Sequence, residues 1–266
     1  MTTNDSVVLG RPSPARMYDY FLHGSSNYPE DRAAGDAVMA KVGSELTRDV
    51  VWENRAFLGR AVQYLAERGV RQFVDLGAGL PSMENTHQVA ARHCERPRVL
   101  YVDNDPAVEA HGADILLGDD SAETRIVIED VRDPEAVLRH PRTRELIDFD
   151  EPVGLLMVAV LHFCTDADDP QGIVDRYRAA LPDGSYLALS HLTVDPARTR
   201  EQADMEDSYD QATAPMIFRE PAAIEGLFTG LDVVAPGIVP VGRWHADGEY
   251  GETVGRMLGG VARKAR

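Results

Sequence analysis

Gln72-Phe-Val-Asp-Leu-Gly-Ala-Gly-Leu-Pro81 is the stretch on which the fold turns. Its first five residues read as a short buried strand, and Gly77 and Gly79 supply two positions where the backbone can turn tightly and come close to a ligand. Residues 86–94 read as the helix that follows, whose first N–H groups add unpaired donors. Strand, glycine turn and helix in this order open a parallel α/β unit. Ligands of such sheets bind beyond the carboxyl ends of the strands, so a nucleotide-type cofactor is expected at this turn.

Downstream, residues 98–103 and 124–128 read as the second and third strands. Residues 152–161 are nearly continuous apolar sequence, suited to a central strand covered on both faces. The turn Pro182-Asp-Gly184 leads into a further parallel strand over 185–190, and helices read over 107–117, from 134 to 138 and over 171–181. This alternation predicts an α/β fold, a doubly wound, mostly parallel Rossmann-like sheet. Residues 195–221 are polar and helix-compatible, an insertion placed to lie across the site, and two more strands read over 231–241 and 255–261. Upstream, 33–67 is helical, with Phe57, Ala61, Val62 and Leu65 on one apolar face. One structural domain is expected, with residues 1–68 as an N-terminal helical extension and lid and 69–266 as the cofactor-binding core.

Bulk properties narrow the function. With 44 acidic and 27 basic residues the formal charge is -17, which repels phosphate backbones and argues against nucleic acid as a partner. The longest apolar block, 153–164, is too short to cross a bilayer, and the first residues lack the features of an export signal. A cytoplasmic protein without a membrane partner is expected; the oligomeric state is not legible. Cys94 and Cys164 are too few for a disulfide scaffold and read as buried apolar side chains. No metal is expected, because His23 and His87 stand alone and Asp166, Asp168 and Asp169 read as solvated loop acids. Ser13, Ser82 and Ser190 lack the pattern of a strained nucleophile elbow.

Three acids mark the rim. Asp103 closes the second strand, at the spacing from which a carboxylate accepts hydrogen bonds from a ribose diol. Asp105 is better suited to capping the next helix, with Pro106 in the first helical position. Asp130 follows the third strand and offers an acceptor for an adenine amino group.

Phe73-Val-Asp-Leu-Gly-Ala-Gly79, Val102-Asp103, Glu129-Asp-Val131 and Leu161-His-Phe163 together resemble the motifs of class I S-adenosylmethionine-dependent methyltransferases. A narrower resemblance spans nearly the whole chain. Pro14-Ala-Arg-Met-Tyr-Asp-Tyr-Phe-Leu-His-Gly24, Asn54-Arg-Ala-Phe-Leu58, Asp75-Leu-Gly-Ala-Gly-Leu-Pro81 and Tyr101-Val-Asp-Asn-Asp-Pro106 are similar to an actinobacterial S-adenosyl methyltransferase family once catalogued as a domain of unknown function. The resemblance implies S-adenosylmethionine as cofactor and S-adenosylhomocysteine as product. It implies that Gly77 and Gly79 meet the methionine part, Asp103 the ribose hydroxyls, and Asp130 with Val131 the adenine, that Asp75 and Asn104 also belong to the cofactor site, and that His162 sits near the edge of the fourth strand. Pro81 stands where the class motif has a third glycine, which departs from generic dinucleotide recognition.

Arg16-Met-Tyr-Asp-Tyr-Phe-Leu-His-Gly24 mixes charge and aromatic rings beside a flexible glycine, as a segment closing over a pocket would. Arg16 can hold a cofactor carboxylate bidentately, and Tyr18 or Tyr20 can border an apolar substrate surface; an Arg16–Asp19 ion pair and plain aromatic packing are the competing readings. Methyl transfer depends on alignment, and an acceptor that must lose a proton needs a base, for which His162 is the candidate and His191 its reserve. The expected function is S-adenosylmethionine-dependent methyl transfer to a small organic acceptor. A cofactor-binding sensor without catalysis and a nicotinamide-dependent oxidoreductase are the alternatives.

Overall fold

The computed structural model describes residues 10–81, 84–116, 119–246 and 253–265. Five strands, β1 (Gln72–Leu76), β2 (Arg98–Asp103), β3 (Glu123–Ile128), β4 (Gly154–Val158) and β5 (Tyr186–Leu192), run parallel in the order β3-β2-β1-β4-β5. Two short strands, β6 (Asp232–Val233) and β7 (Val239–Pro240), pair antiparallel with β8 (Met257–Arg263), and β8 runs antiparallel along β5 over seven residues of register. The strand order reverses between β1 and β4, the topological switch point where such sheets bind ligands. β1 and β4 are buried along their whole length, and β4 accordingly reads as an unbroken apolar run, while β1 carries the buried polar residues Gln72 and Asp75.

Among the described residues ten helices surround the sheet: α1 (Pro14–Phe21), α2 (Pro29–Val42), α3 (Ser44–Glu67), α4 (Thr86–Ala91), α5 (Pro106–Leu116), α6 (Pro134–Arg139), α7 (Pro141–Leu146), α8 (Pro170–Ala180), α9 (Thr199–Tyr209) and α10 (Pro221–Gly226). The apolar face of α3 packs on one side of the sheet, where Phe57, Val62 and Leu65 join Phe73 and Leu156. The opposite face buries Leu76, Leu100, Leu155 and Ile173. Met17 and Phe21 of α1 belong to the first of these clusters, so the N-terminal segment is part of the core. Among the described residues no helix is long and apolar enough to cross a membrane.

Two expectations change. The strand read over 231–241 is two strands of two residues, broken where the chain passes Ala235-Pro236 and Gly237 turns at φ 100°. The helix after the glycine turn begins at Thr86 and ends at Ala91, short of the expected end at residue 94. Position 117, read as the end of the α5 helix, and Ser82 lie outside the described residues.

Candidate active site

A cavity of about 420 Å³ opens at the carboxyl ends of β1, β2 and β4. Its floor is the turn after β1. Gly77 and Ala78 donate their N–H groups to the Val102 carbonyl at 2.8 and 3.1 Å, which folds the turn back over β2. Gly77 adopts φ 69°, and a Cβ there would meet Val160 Cγ2 at 2.3 Å, so no side chain fits. Gly79 adopts φ 64° with nothing within 4 Å of the Cβ position, leaving open space against bare backbone.

Carboxylates ring this floor. Asp103 accepts the Gly79 N–H on Oδ2 at 2.8 Å and the Asp105 N–H on Oδ1 at 2.9 Å, which locks its orientation and leaves a further lone pair on each oxygen. Asp75 accepts the Thr86 hydroxyl at 2.6 Å. Burial pushes both acids up to about 6. Asp130, at the end of β3, takes two bonds from the Arg132 guanidinium and a longer one from Asn104 Nδ2 at 3.4 Å. Burial opposes its ionisation, but Arg132 outweighs burial and holds the carboxyl below its ordinary value.

The roof comes from α1 and from the segment after α9. Arg11 donates to the Ala212 carbonyl at 2.5 Å and the Thr213 N–H donates to the Pro12 carbonyl at 3.0 Å, so Thr213 and Ala214 face the cavity beside Pro14 and Ala15. Leu58 and Phe163 add apolar surface. Tyr18 lines the same side, with its hydroxyl donating to the Val51 carbonyl at 3.1 Å and accepting from Asn54 Nδ2 at 3.0 Å. Asn54 Oδ1 in turn accepts the Ser190 hydroxyl at 2.6 Å, and Ser190 Oγ accepts the Ala159 N–H at 3.0 Å. This relay fixes Ala159, held at φ 58° at the end of β4 on the cavity wall.

Residues 1–265 match the profile of the S-adenosyl methyltransferase family. The chain belongs to this family. The crystal structure of a protein from Streptomyces avermitilis, described as a DUF574 family protein, is 39% identical and superposes with a TM-score of 0.88, covering 96% of this chain and 98% of that one. A protein from Thermobifida fusca described as a "putative methyltransferase" is 34% identical with a TM-score of 0.88 and 97% coverage of both chains. An O-methyltransferase family protein from Burkholderia thailandensis, 14% identical with a TM-score of 0.51 over 92% of this chain and 66% of that one, shares the fold. No curated protein matches the chain.

As a S-adenosylmethionine-dependent methyltransferase, the protein has residues that fit its cofactor. The open backbone cradle at Gly79 admits a ligand, and Asp75, Asp103 and Asp130 supply negative charge and acceptors for a cationic nucleoside. Asn104 and Val131 also line the cavity, so Asp75, Gly77, Gly79, Asp103, Asn104, Asp130 and Val131 are brought together. Arg16 borders it as well, but Asp31 and Asp105 bind its guanidinium where Asp19 or a ligand carboxylate was expected. Asp105 caps α5 as expected, accepting the Ala107 N–H at 2.9 Å.

Two expected residues of the methyltransferase lie elsewhere. Tyr20 is off the cavity lining, its hydroxyl donating to Asp36 at 2.7 Å on the exposed side of α1. His162 is also off the lining, buried with its ring 4.4 Å from that of Phe163 and 5.6 Å from that of His191. Burial, then the charges of His191 and Arg219, keep its imidazole neutral well below the ordinary histidine range. His191 is bound on both nitrogens, donating from Nδ1 to the Leu192 carbonyl at 2.7 Å and accepting Arg219 on Nε2 at 2.7 Å. Burial pushes it down to about 4.

Asn54, Ser190, Phe163 and the 212–214 segment carry site geometry that residue reading missed. Asn54 had a signal: it falls three and four residues before Phe57 and Leu58, on the buried face of α3, where a polar side chain must find partners.

Proposed function

We propose that this methyltransferase carries the methyl group of S-adenosylmethionine to a small organic acceptor held beneath α1 and the 212–214 segment. The observation behind the reading is one continuous cavity that joins a floor rich in carboxylates to a largely apolar roof. The cofactor supplies an electrophilic methyl group when bound. Gly77, Gly79 and Asp75 would take its methionine part, Asp103 and Asn104 its ribose, and Asp130 with Val131 its adenine. Tyr18, Leu58, Phe163 and Ala214 would form the acceptor wall, and the tied Tyr18 hydroxyl would orient an acceptor through its remaining lone pair. A cavity of about 420 Å³ is in the range of small-ligand sites, and the charge of -17 disfavours a nucleic-acid acceptor.

With His162 outside the cavity, catalysis rests on alignment of the acceptor and exclusion of water rather than on an assigned base. Calorimetric titration with S-adenosylhomocysteine tests the cofactor part. Asp103→Asn is expected to weaken binding by about 1–3 kcal/mol through loss of a charge-assisted acceptor. Unchanged affinity in the folded variant would remove Asp103 from the site. Incubating the enzyme with methyl-labelled cofactor and a cell extract tests the acceptor: label in the small-molecule fraction supports the reading, and label confined to nucleic acid or protein overturns it.

A further inference from the structure

We infer that Arg16 is a positioning residue, coupling the docking of α1 to the carboxylates that hold the cofactor's ribose; this rests on the ribose assignment proposed above. Its guanidinium is buried and spans two acids on different elements. Nε donates to Asp31 Oδ2 at 2.8 Å, one Nη to Asp105 Oδ2 at 2.9 Å, and the other Nη to the Arg11 carbonyl at 2.7 Å. On the roof side, Asp31 also accepts the Ser13 and Tyr28 N–H groups at 3.0 and 2.9 Å. On the floor side, the Asp105 N–H donates to Asp103 Oδ1, and Asp103 Oδ2 receives the Gly79 N–H. A single chain of hydrogen bonds therefore runs from the roof segment through Arg16 to the glycine turn.

The chemistry demands arginine. Asp31 and Asp105 are both buried, so each needs a countercharge, and only a planar fork reaches two carboxylates from separate nitrogens while keeping its orientation. If the fork is lost, Asp105 keeps only its cap on the Ala107 N–H at 2.9 Å, and the turn that offers the Asp105 N–H to Asp103 loses its tie to α1. Roof docking and ribose binding then stop reinforcing each other. Because such coupling is reciprocal, a ligand on Asp103 must tighten the roof by the same factor by which the roof tightens the ligand.

The test uses S-adenosylhomocysteine as probe on the full chain, with calorimetry and amide hydrogen exchange as readouts. Arg16→Gln and Asp105→Asn are each expected to weaken the probe about tenfold, and the double variant no more than the worse single one. In the wild type the probe slows exchange across residues 11–28, and in Arg16→Gln it does not. Should Arg16→Gln fold poorly, Arg16→Lys decides, with partial loss of affinity and of probe-induced protection. Additive losses would mean that Arg16 contacts the ligand directly and would overturn the inference, as would wild-type affinity in a folded Arg16 variant or protection that ignores the probe. If Asp103→Asn binds weakly while the Arg16 variants bind normally, the coupling fails and the cofactor site stands. If Asp103→Asn itself binds normally, the site assignment fails.

Discussion

Asp75 and Asp103 share a handicap that shapes how the site responds to pH. Each is desolvated, and each titrates near 6 in place of the usual carboxylate range. In the proposed complex, ligand hydroxyl and ammonium groups would donate to the ionised form, so affinity is expected to be fully present well above about pH 6 and to fall as pH drops through that value. The expected loss is at most about tenfold per pH unit for each acid. Titrations of S-adenosylhomocysteine from about pH 7.5 down to about pH 5 should show the decline, with a shallower slope in Asp103→Asn, where only Asp75 still titrates. A slope unchanged by the substitution would deny Asp103 its part. At this scale the gathering of Asp75, Asp103 and Asp130 around one cavity was legible, because acids at strand ends in an α/β sheet have few positions to occupy. The two aromatic candidates were not both compatible with one pocket: residues two apart on a helix face away from each other, and Tyr18 takes the cavity while Tyr20 takes solvent. His162 misled because a 3-10 turn over Leu161–Phe163 points adjacent side chains in different directions, and Phe163 holds the cavity position.

Among the elements, α1 is where expectation and structure part most. Read as a lid, it should be removable; packed as it is, Met17 and Phe21 are core residues against α2 and α3. Met17 is fully buried, so Met17→Ala is expected to cost about 2–5 kcal/mol in urea unfolding. A loss near zero would restore the detachable lid. The central strand β4 was legible because it is buried on both faces and so is written as apolar sequence, and β2 and β3 were legible from shorter apolar segments at regular spacing. The antiparallel edge was not: β6 and β7 are exposed or half-buried pairs whose pairing depends on β8, a long-range contact no local pattern records. Of the 195–221 insertion, Thr213 and Ala214 line the cavity, and its attachment rests on Thr213–Pro12 and Arg11–Ala212 hydrogen bonds to a segment two hundred residues away, which no local pattern records.

At neutral pH the whole molecule carries a large excess of negative charge. A formal charge of -17 on 266 residues favours the expanded chain through self-repulsion, so the melting temperature should rise as salt is raised from roughly 0.01 to 0.15 M, where the screening length shortens from about 30 to 8 Å. A melting temperature independent of salt would show that the ion pairs of the surface already balance the field. The strand β8 has a different consequence, in the order of synthesis. On a ribosome β5 emerges with only β4 beside it, and its other edge stays unpaired while α9, α10, β6 and β7 are made, until β8 arrives to zip seven residues along it. An open, apolar strand edge is a template for neighbouring nascent chains. Stalled chains ending after α10 are therefore expected to be held by chaperones, and chains extended through β8 to be let go.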